Sequence, residues 1–300
     1  PTTVTVQPVT DCRQGRLRAG RARRRRCRRL GGGPMGPVIE AQGLTHEYPD
    51  GTTAIRDVTL SIEEGERVAV IGANGSGKST LQLVLGGLVD PTAGTVEYFD
   101  DTADAEAVRD RIGVLLQDPD DYLFNTTVRE DLEYGPAQLG MSRQAATQRV
   151  GQVAAELGLD TLLDRPPFRL SGGEKQRAAV ASVLAFEPEV LLLDEPFGAV
   201  DAHYRERILQ LVTDHEGTVV LFTPSLDVVP EIADRVIVVG PDGSLAANES
   251  VRDVLTDSTL LRENGLRPPA MVQLFEGILE ADDMPLTVSD ARAHLLDQTQ

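Results

Sequence analysis

The chain has 300 residues, 41% of them hydrophobic, which is enough for one large domain or for one domain with an appendage. Nowhere does it approach the roughly 18 consecutive apolar residues of a membrane-spanning helix, so such a segment is excluded. Its net charge is −18, and the acidic side chains that dominate most of the sequence make nucleic acid an unsuitable partner for that part of the chain.

Charge divides the chain into two unequal parts. Residues 1–34 hold ten of the 29 basic side chains, all of them Arg, but only one of the 47 acidic ones. The remainder therefore carries 19 basic and 46 acidic residues, a net charge of −27. Concentrated salt would screen the resulting self-repulsion, so the composition resembles that of proteins from salt-loving organisms. A basic partner is the alternative, but the acidic residues are spread along the whole body, which favours a role in solvation.

The Arg-rich segment has low complexity, no hydrophobic periodicity and no apolar core of a secretory signal. We predict that residues 1–36 are a disordered tail, or upstream sequence read in frame with Met35 as the natural start. The alternative is a basic arm for nucleic acid or anionic lipid. Both cysteines, Cys12 and Cys27, lie here, so the rest of the chain has no disulfide framework, which suits a cytosolic protein.

The first ordered elements are predicted to be antiparallel strands. Val38–Ala41, Gly43–Tyr48 and Val58–Ile62 have strand-like patterns, and Pro49–Gly51 predicts a turn. Tyr48 lies about one strand pair before the glycine-rich motif that follows. Its ring could stack on an adenine base, although an ordinary strand aromatic is the alternative at this point.

A glycine-rich motif of the form G-x-x-x-x-G-K-S occupies Gly72–Ser79. The apolar run Glu66–Ile71 before it predicts a buried strand, and Thr80–Leu85 after it predicts a helix. This context disfavours a chance turn, because a helix N-terminus and wrapped glycine backbone together bind phosphate. Lys78 would reach the β- and γ-phosphates, and the Ser79 hydroxyl would ligate Mg²⁺. The predicted phosphate-binding residues are Gly72, Asn74, Gly75, Ser76, Gly77, Lys78, Ser79 and Thr80.

The middle of the chain predicts a strand, a loop and a helical region. The strand Arg111–Leu116 ends at Gln117. The loop Asp118–Phe124 mixes acids with large apolar groups, so it either packs on its own domain or docks a partner. Val128–Leu163 is mostly helical and includes a helix that begins at Ser142, which indicates a helical subdomain.

Two further motifs carry polar side chains. In Leu170–Arg177, Ser171 and Glu174 form a capping box, and the paired Gly172 and Gly173 make the helix N-terminus a second anion site. The apolar strand Val190–Leu193 then ends in Asp194 and Glu195, at the sheet edge where α/β folds bind ligands. Asp194 would hold Mg²⁺ through water, and Glu195 would polarise the attacking water.

Together these motifs resemble those of the nucleotide-binding subunit of an ABC transporter, over roughly Val38 to the C-terminus. The resemblance implies an α/β fold of the P-loop NTPase type, with a mostly parallel sheet, an N-terminal antiparallel β region and a helical signature subdomain at about 125–180. It also implies an ATP-binding domain over 37–250 and a C-terminal helical extension over 251–300.

The resemblance assigns a role to each motif. Tyr48 takes the place of the adenine-stacking aromatic, and Gln117 that of the glutamine that touches Mg²⁺ and links the site to the membrane subunit. Asp201 matches the D-loop aspartate at the nucleotide, although Val200 stands where Leu is usual. The implied catalytic residues are Lys78, Gln117 and Glu195, and the implied metal ligands are Ser79, Gln117 and Asp194.

The resemblance also implies ligands and partners. ATP and Mg²⁺ are the expected ligands, and the partner is a second ABC ATPase, identical or not, whose ATP is covered by Ser171, Gly172 and Gly173 of this chain. An integral-membrane subunit would contact Asp118–Phe124. The expected location is cytoplasmic, on the inner face of the membrane.

The subfamily is indicated by Gln117–Phe124, which is similar to the Q-loop of energy-coupling-factor ATPases, the cobalt/nickel type especially, although Tyr122 stands where Gln is commoner. Leu260–Pro269 and Pro285–Asp290 resemble segments that follow the core domain in those ATPases. The implied function is uptake of a transition-metal ion, cobalt or nickel, or of a vitamin.

One position departs from the family. After the predicted strand Thr218–Phe222, Pro224 occupies the place of the switch histidine. Proline offers the γ-phosphate neither a side-chain donor nor an N–H, and losing such a donor typically slows catalysis about 10²–10³-fold. We therefore expect slow hydrolysis at the chain's own site. The alternatives are a degenerate regulatory subunit, or an ABC ATPase outside transport, which a single cassette without coiled coils or zinc sites disfavours.

Overall fold

The computed structural model describes residues 36–99 and 108–297, except for the side chain of Asp297. All but the last residue of the predicted tail, 1–36, lies outside the described residues. Among the described residues, no helix combines the length and the apolar composition needed to cross a bilayer.

The described residues contain nine strands: β1 (Pro37–Glu47), β2 (Thr53–Glu63), β3 (Arg67–Ile71), β4 (Ala93–Tyr98), β5 (Ile112–Leu115), β6 (Val190–Asp194), β7 (Thr218–Phe222), β8 (Arg235–Val239) and β9 (Leu245–Ser250). Three of them form an antiparallel sheet in the order β2-β1-β4, as the N-terminal pattern predicts. The other six form a sheet in the order β5-β6-β7-β3-β8-β9, parallel except between β8 and β9. The predicted fold class is thus confirmed.

The described residues also contain ten α-helices: α1 (Lys78–Leu85), α2 (Val128–Gln138), α3 (Arg143–Glu156), α4 (Gly172–Leu184), α5 (Ala202–Asp214), α6 (Val229–Ile232), α7 (Val251–Thr256), α8 (Ser258–Glu263), α9 (Ala270–Phe275) and α10 (Val288–Asp297). Polar side chains start several of them. Thr127 and Ser171 form capping boxes, and Ser142 and Asp201 cap α3 and α5.

Strand β3 lies inside the larger sheet and contributes to two hydrophobic cores. Because side chains alternate along a strand, Val68 and Val70 pack toward α1 and the antiparallel sheet, whereas Ala69 and Ile71 pack on the opposite face. That opposite face is covered by side chains of α7 to α10, including Leu255. The loop after β3 is therefore held between two packed layers.

Helices α2, α3 and α4 pack together over residues that the sequence predicts as a helical subdomain. The side chains of Val150, Val153 and Ala154 share one face of α3 and are buried in this core. Most predicted strand ends differ from the observed ones by one or two residues, but β1 runs unbroken through the two stretches predicted at Val38–Ala41 and Gly43–Tyr48, and β2 begins at Thr53, five residues before the predicted Val58. For example, β5 ends at Leu115 because the N–H of Leu116 donates to the Tyr122 hydroxyl and not to a neighbouring strand.

Candidate functional site

The glycine-rich loop connects β3 to α1, as the strand–glycine–helix pattern predicts. Gly77 precedes the helix with a left-handed backbone (φ +95°), and a Cβ there would collide with the carbonyl oxygen of Ala54. Glycine is therefore required at this point of the loop. Lys78 folds back onto the loop, and its Nζ donates to the carbonyl oxygens of Gly72 and Ala73 at 2.9 and 3.0 Å.

Two side chains of this loop fit a phosphate-bearing ligand. The Ser76 hydroxyl is buried and has no hydrogen-bond partner among the described residues, so it has a donor to offer. Burial lowers the pKa of Lys78, while Asp194 and Glu195 act to raise it. Because its hydrogen-bond partners are neutral carbonyl groups, the ammonium can pair with an anionic phosphate held by the loop.

The end of β6 meets the start of α1 at a site that fits Mg²⁺. Ser79 Oγ donates to Asp194 Oδ2 at 2.7 Å, and Asp194 is only 2% exposed. Burial raises the pKa of Asp194, as does Glu195, so a cation beside this carboxylate would offset both effects. Hydroxyl and carboxylate oxygens suit Mg²⁺, which commonly binds through one or two carboxylates together with substrate phosphates. Among the described residues, no group of three or more acidic, His or Cys side chains could hold a metal ion.

Gln117 lies at the same edge. It lines a cleft of about 540 Å³ together with Ser79, Asp118 and Asp194. The loop that carries it is closed by Tyr122, whose hydroxyl accepts from the N–H of Leu116 at 2.7 Å and donates to the carbonyl of Val114 at 2.5 Å. Burial raises the pKa of Tyr122, so the hydroxyl keeps its proton for this bond.

Glu195 follows β6 in a strained turn. Its φ is +44°, a left-handed conformation that is uncommon for a residue with a side chain. Its N–H donates to Phe222 at the end of β7, and its carbonyl accepts from the N–H of Gly198 at 3.0 Å and from Gln176 Nε2 at 3.3 Å. Pro224 comes two residues after Phe222, so the structure places it at the sheet edge that carries Glu195.

Tyr48 lies next to the first turn of α1. Its hydroxyl shares a 3.0 Å hydrogen bond with Thr80 Oγ1, and its ring contacts His46 edge-on at 4.9 Å. Tyr48 is 39% exposed, so part of the residue is accessible from solvent. This position fits the predicted stacking role, and the contact with Thr80 ties the ring to the phosphate loop.

Ser171, Gly172 and Gly173, called the signature residues below, form a group separate from the phosphate loop. Ser171 and Glu174 form the predicted capping box, with the Ser171 N–H 2.7 Å from Glu174 Oε2. Within the described chain, the hydrogen bonds of Ser171, Gly172 and Gly173 do not reach Gly72–Thr80. A Cβ on Gly173 would instead lie 2.7 Å from the carbonyl oxygen of Ala199, close to Asp201, which caps α5.

The structure also shows contacts that sequence patterns do not indicate. Lys175 Nζ pairs with Asp120 Oδ1 at 2.5 Å and joins the signature helix to the loop after Gln117. Gln82 and Gln176 are buried in α1 and α4 and bond to backbone carbonyls. A polar residue among apolar neighbours is the sequence signal for Gln82, whereas Gln176 stands between Lys175 and Arg177 and its neighbours give no such signal.

An apolar groove adjoins the Gln117 loop. It has a volume of about 620 Å³, and its walls include side chains of the loop, of α2 and α4, and of the residues just after these helices: Tyr122, Phe124, Tyr134, Leu139, Val183 and Phe186. Phe124 is 62% exposed and meets Tyr134 edge-on at 5.1 Å. Large exposed aromatic side chains around a groove are typical of a docking surface.

Comparison with known sequences gives a consistent result. A protein-family model described as "ABC transporter" matches residues 55–198. A putative ABC transporter ATP-binding protein of Archaeoglobus fulgidus is 45% identical over 232 residues, which are 76% of this chain and 97% of the relative. The energy-coupling factor transporter ATP-binding protein EcfA of Methanosphaera stadtmanae is 37% identical over 276 residues, covering 87% of this chain and 99% of the relative.

Solved structures show the same similarity. The cbiO1 protein of Clostridium perfringens, described as part of the ABC transporter complex cbiONQ, superimposes with a TM-score of 0.64 at 30% identity over 80% of this chain and 99% of its own. The ATP-binding cassette MJ0796, a dimer bound to ADP and Pi in a post-hydrolysis state, gives 0.63 at 29% identity over 71% of this chain and 98% of its own.

Proposed function

This chain belongs to the ATP-binding proteins of ABC transporters, a family of ATPases that couple ATP hydrolysis to transport, and we propose that it powers an energy-coupling-factor-type uptake transporter. The observation that carries the proposal is the convergence of Lys78, Ser79, Gln117 and Asp194 at one edge of the parallel sheet, beside the exposed groove at Phe124. The transporter relatives do not favour the alternatives of a non-transport ATPase or a regulatory subunit.

The proposed chemistry assigns each group a task. The loop at Gly72–Thr80 binds the phosphates of ATP, and Tyr48 stacks on its base. Ser79, Gln117 and Asp194 hold Mg²⁺, which when bound offsets negative charge on the phosphates. Glu195 orients and polarises the attacking water, and backbone hydrogen bonds to Phe222 and Gly198 hold the residue at the sheet edge.

The signature group completes a site on a second subunit. Since Ser171, Gly172 and Gly173 have no hydrogen bond to their own phosphate loop among the described residues, we propose that they cover ATP bound by another ABC ATPase. The dimeric state of the ADP-bound MJ0796 cassette supports this arrangement. The partner is a second copy of this chain or a related subunit, and Asp201 lies at the same interface.

The membrane partner is proposed to dock at the groove beside Asp118–Phe124. The name of the EcfA relative supports an energy-coupling-factor complex, and the description of cbiO1 supports assembly into an ABC transporter complex. The Q-loop resemblance further favours cobalt or nickel as the transported ion, with a vitamin as the second candidate. The protein would then lie on the inner face of the cell membrane.

Co-purification from membranes tests this function. The tagged chain should retain integral-membrane subunits, and Phe124→Ser should weaken that association because the aromatic anchor of the groove is lost. Leu274→Ser is the matched control, since Leu274 is as exposed as Phe124 but lies outside the groove. Both variants should still bind ATP. Unchanged association in Phe124→Ser would contradict docking at this groove, and the absence of any membrane partner for the wild type would contradict the transport function.

A further inference from the structure

Gln82 is a buried amide on the sheet-facing side of α1, one turn after Lys78. The side chain is 0% exposed. Its Nε2 donates to the carbonyl oxygen of Leu115 at 2.7 Å and to that of Leu192 at 3.0 Å. One amide group therefore bonds to two neighbouring strands, β5 and β6, from the helix that carries the phosphate loop.

The two carbonyl groups belong to the segments that carry the metal-side residues. Leu115 lies two residues before Gln117, and Leu192 lies two residues before Asp194. Ser79 stands three residues before Gln82 in the same helix. The amide thus joins the three elements that bear Ser79, Gln117 and Asp194.

Close packing brings the amide within reach of the sheet. Gly86 lies one turn after Gln82, and a Cβ there would lie only 2.8 Å from Val114 Cγ2. The absence of that Cβ lets α1 approach β5 closely enough for a glutamine side chain to span the gap. A shorter side chain at position 82 would not reach both carbonyl groups.

The amide is not explained by core stability. Gln82 Oε1 is buried and has no hydrogen-bond partner among the described residues, which is unfavourable in a protein interior. An apolar side chain of the same length would avoid this cost but would remove the donor from the two backbone carbonyls. The effect of the amide therefore lies in the two backbone groups that it holds.

We propose that Gln82 is a positioning residue for the divalent cation. It fixes the start of α1 against the ends of β5 and β6, so that Ser79, Gln117 and Asp194, the residues that would hold Mg²⁺, stay together at one edge of the sheet. The phosphate loop has contacts of its own that do not involve this amide, from Lys78 Nζ to the carbonyl oxygens of Gly72 and Ala73. The inference rests on the proposed function, because it requires that the site binds ATP with Mg²⁺.

Calorimetric titration of ATP with Mg²⁺ and with EDTA tests the proposal on the full chain in concentrated KCl. The ratio of the two Kd values measures the gain in affinity that Mg²⁺ provides. In Gln82→Met, the Kd for ATP in EDTA should match the wild type, whereas the gain from Mg²⁺ should fall about tenfold, as for other residues that orient metal ligands. Gln152→Met, on the exposed face of α3, is the matched control and should keep the full gain.

The outcomes separate the inference from the function on which it rests. An equal gain from Mg²⁺ in the wild type and Gln82→Met, with or without a lower melting temperature, would mean that Gln82 is only structural. A wild type that binds no ATP would overturn the proposed function instead. If Gln82→Met does not fold, Gln82→Glu takes its place. The carboxylate faces two carbonyl oxygens, so this variant should lose the gain in ATP affinity from Mg²⁺. Protonation of the carboxylate at lower pH should restore part of that gain. A gain like that of the wild type at every pH would then overturn the proposal.

Discussion

Pro224 stands after β7, where the family has a histidine that donates to the γ-phosphate. We expect Pro224→His to raise the turnover number of the purified protein about 10²-fold, because a donor that acts on transition-state charge is worth that much. ATP affinity should stay within a few-fold, since Lys78 and the phosphate loop remain unchanged. Steady-state ATPase assays of both proteins check this prediction.

Pro224→Ala is the control, because it restores a backbone N–H without an imidazole. Turnover of the alanine variant should stay near that of the wild type. Equal and fast turnover in all three proteins would show that another group supplies the missing donor. Fast turnover in the alanine and histidine variants alike would assign the effect to the backbone.

His215 should make the fold sensitive to moderate acid. Burial lowers its pKa to about 4, with repulsion from Arg67 and Arg149 acting in the same direction. In the unfolded chain the pKa is about 6.5, so the unfolded state binds more protons between those values. The contribution of His215 to the free energy of unfolding should therefore be constant above pH 6.5. It should fall by up to about 3 kcal/mol as the pH drops toward 4.

Urea unfolding of the wild type and His215→Gln at a series of pH values checks this prediction. Carboxylates titrate in the same range, so the quantity of interest is the difference between the two proteins. That difference should shrink as the pH falls. His203→Gln, at an exposed position, is the control and should follow the wild type, and a pH-independent difference for His215→Gln would contradict the assignment.

Single residues differ in how well their position could be predicted. Lys78, Ser79 and Asp194 could be placed because short motifs at strand ends bring them to one edge whatever the rest of the chain does. The contacts of Gln82, Tyr122 and Gln176 could not be predicted, since each bonds to a backbone group of another element. Such contacts depend on how closely helices and strands pack, which hydrophobic patterns do not specify.

At the level of elements, the start of α4 is fixed by contact with the segment after Glu195. We expect Gly173→Ala to destabilise the protein by about 1–3 kcal/mol, because the new Cβ would lie 2.7 Å from the carbonyl oxygen of Ala199. Gly172→Ala should be neutral or slightly stabilising, since nothing lies within 4 Å of a Cβ at that position.

Urea unfolding without nucleotide checks this pair of variants. Both glycines belong to the signature, so any loss that depends on a bound nucleotide should affect the two variants alike. A difference in unfolding midpoint isolates the contact with Ala199 inside one chain. Equal midpoints would show that α4 shifts freely against that segment.

The sequence predicts where a helix or strand lies more readily than it predicts which elements lie beside it. The capping box at Ser171 and the apolar run before Asp194 indicate where α4 begins and β6 ends. The order of strands in the sheet could not be read from these patterns, because a buried strand such as Val190–Leu193 is apolar on both faces and matches many partners. The sequence therefore could not show that the two predicted anion sites, the phosphate loop and the start of α4, lie apart from each other.

At the level of the whole molecule, the charge of −27 outside residues 1–34 should make stability depend on salt. We expect the urea midpoint to rise steadily from dilute buffer to molar KCl, because the screening length falls from about 10 Å at 0.1 M to about 3 Å at 1 M. Sucrose at equal osmolality is the control, since it stabilises compact states without screening charge. A midpoint that responds to sucrose and to KCl equally would contradict an electrostatic origin.

The position of β3 in the sheet has a consequence for synthesis on the ribosome. β3 ends at Ile71, but the two strands that flank it begin at Thr218 and Arg235. A nascent chain therefore carries the complete nucleotide-binding motif long before the strand beneath it has either neighbour. We expect folding of this region to wait until most of the polypeptide has emerged, and a product that terminates before Thr218 to expose an apolar strand to chaperones and proteases.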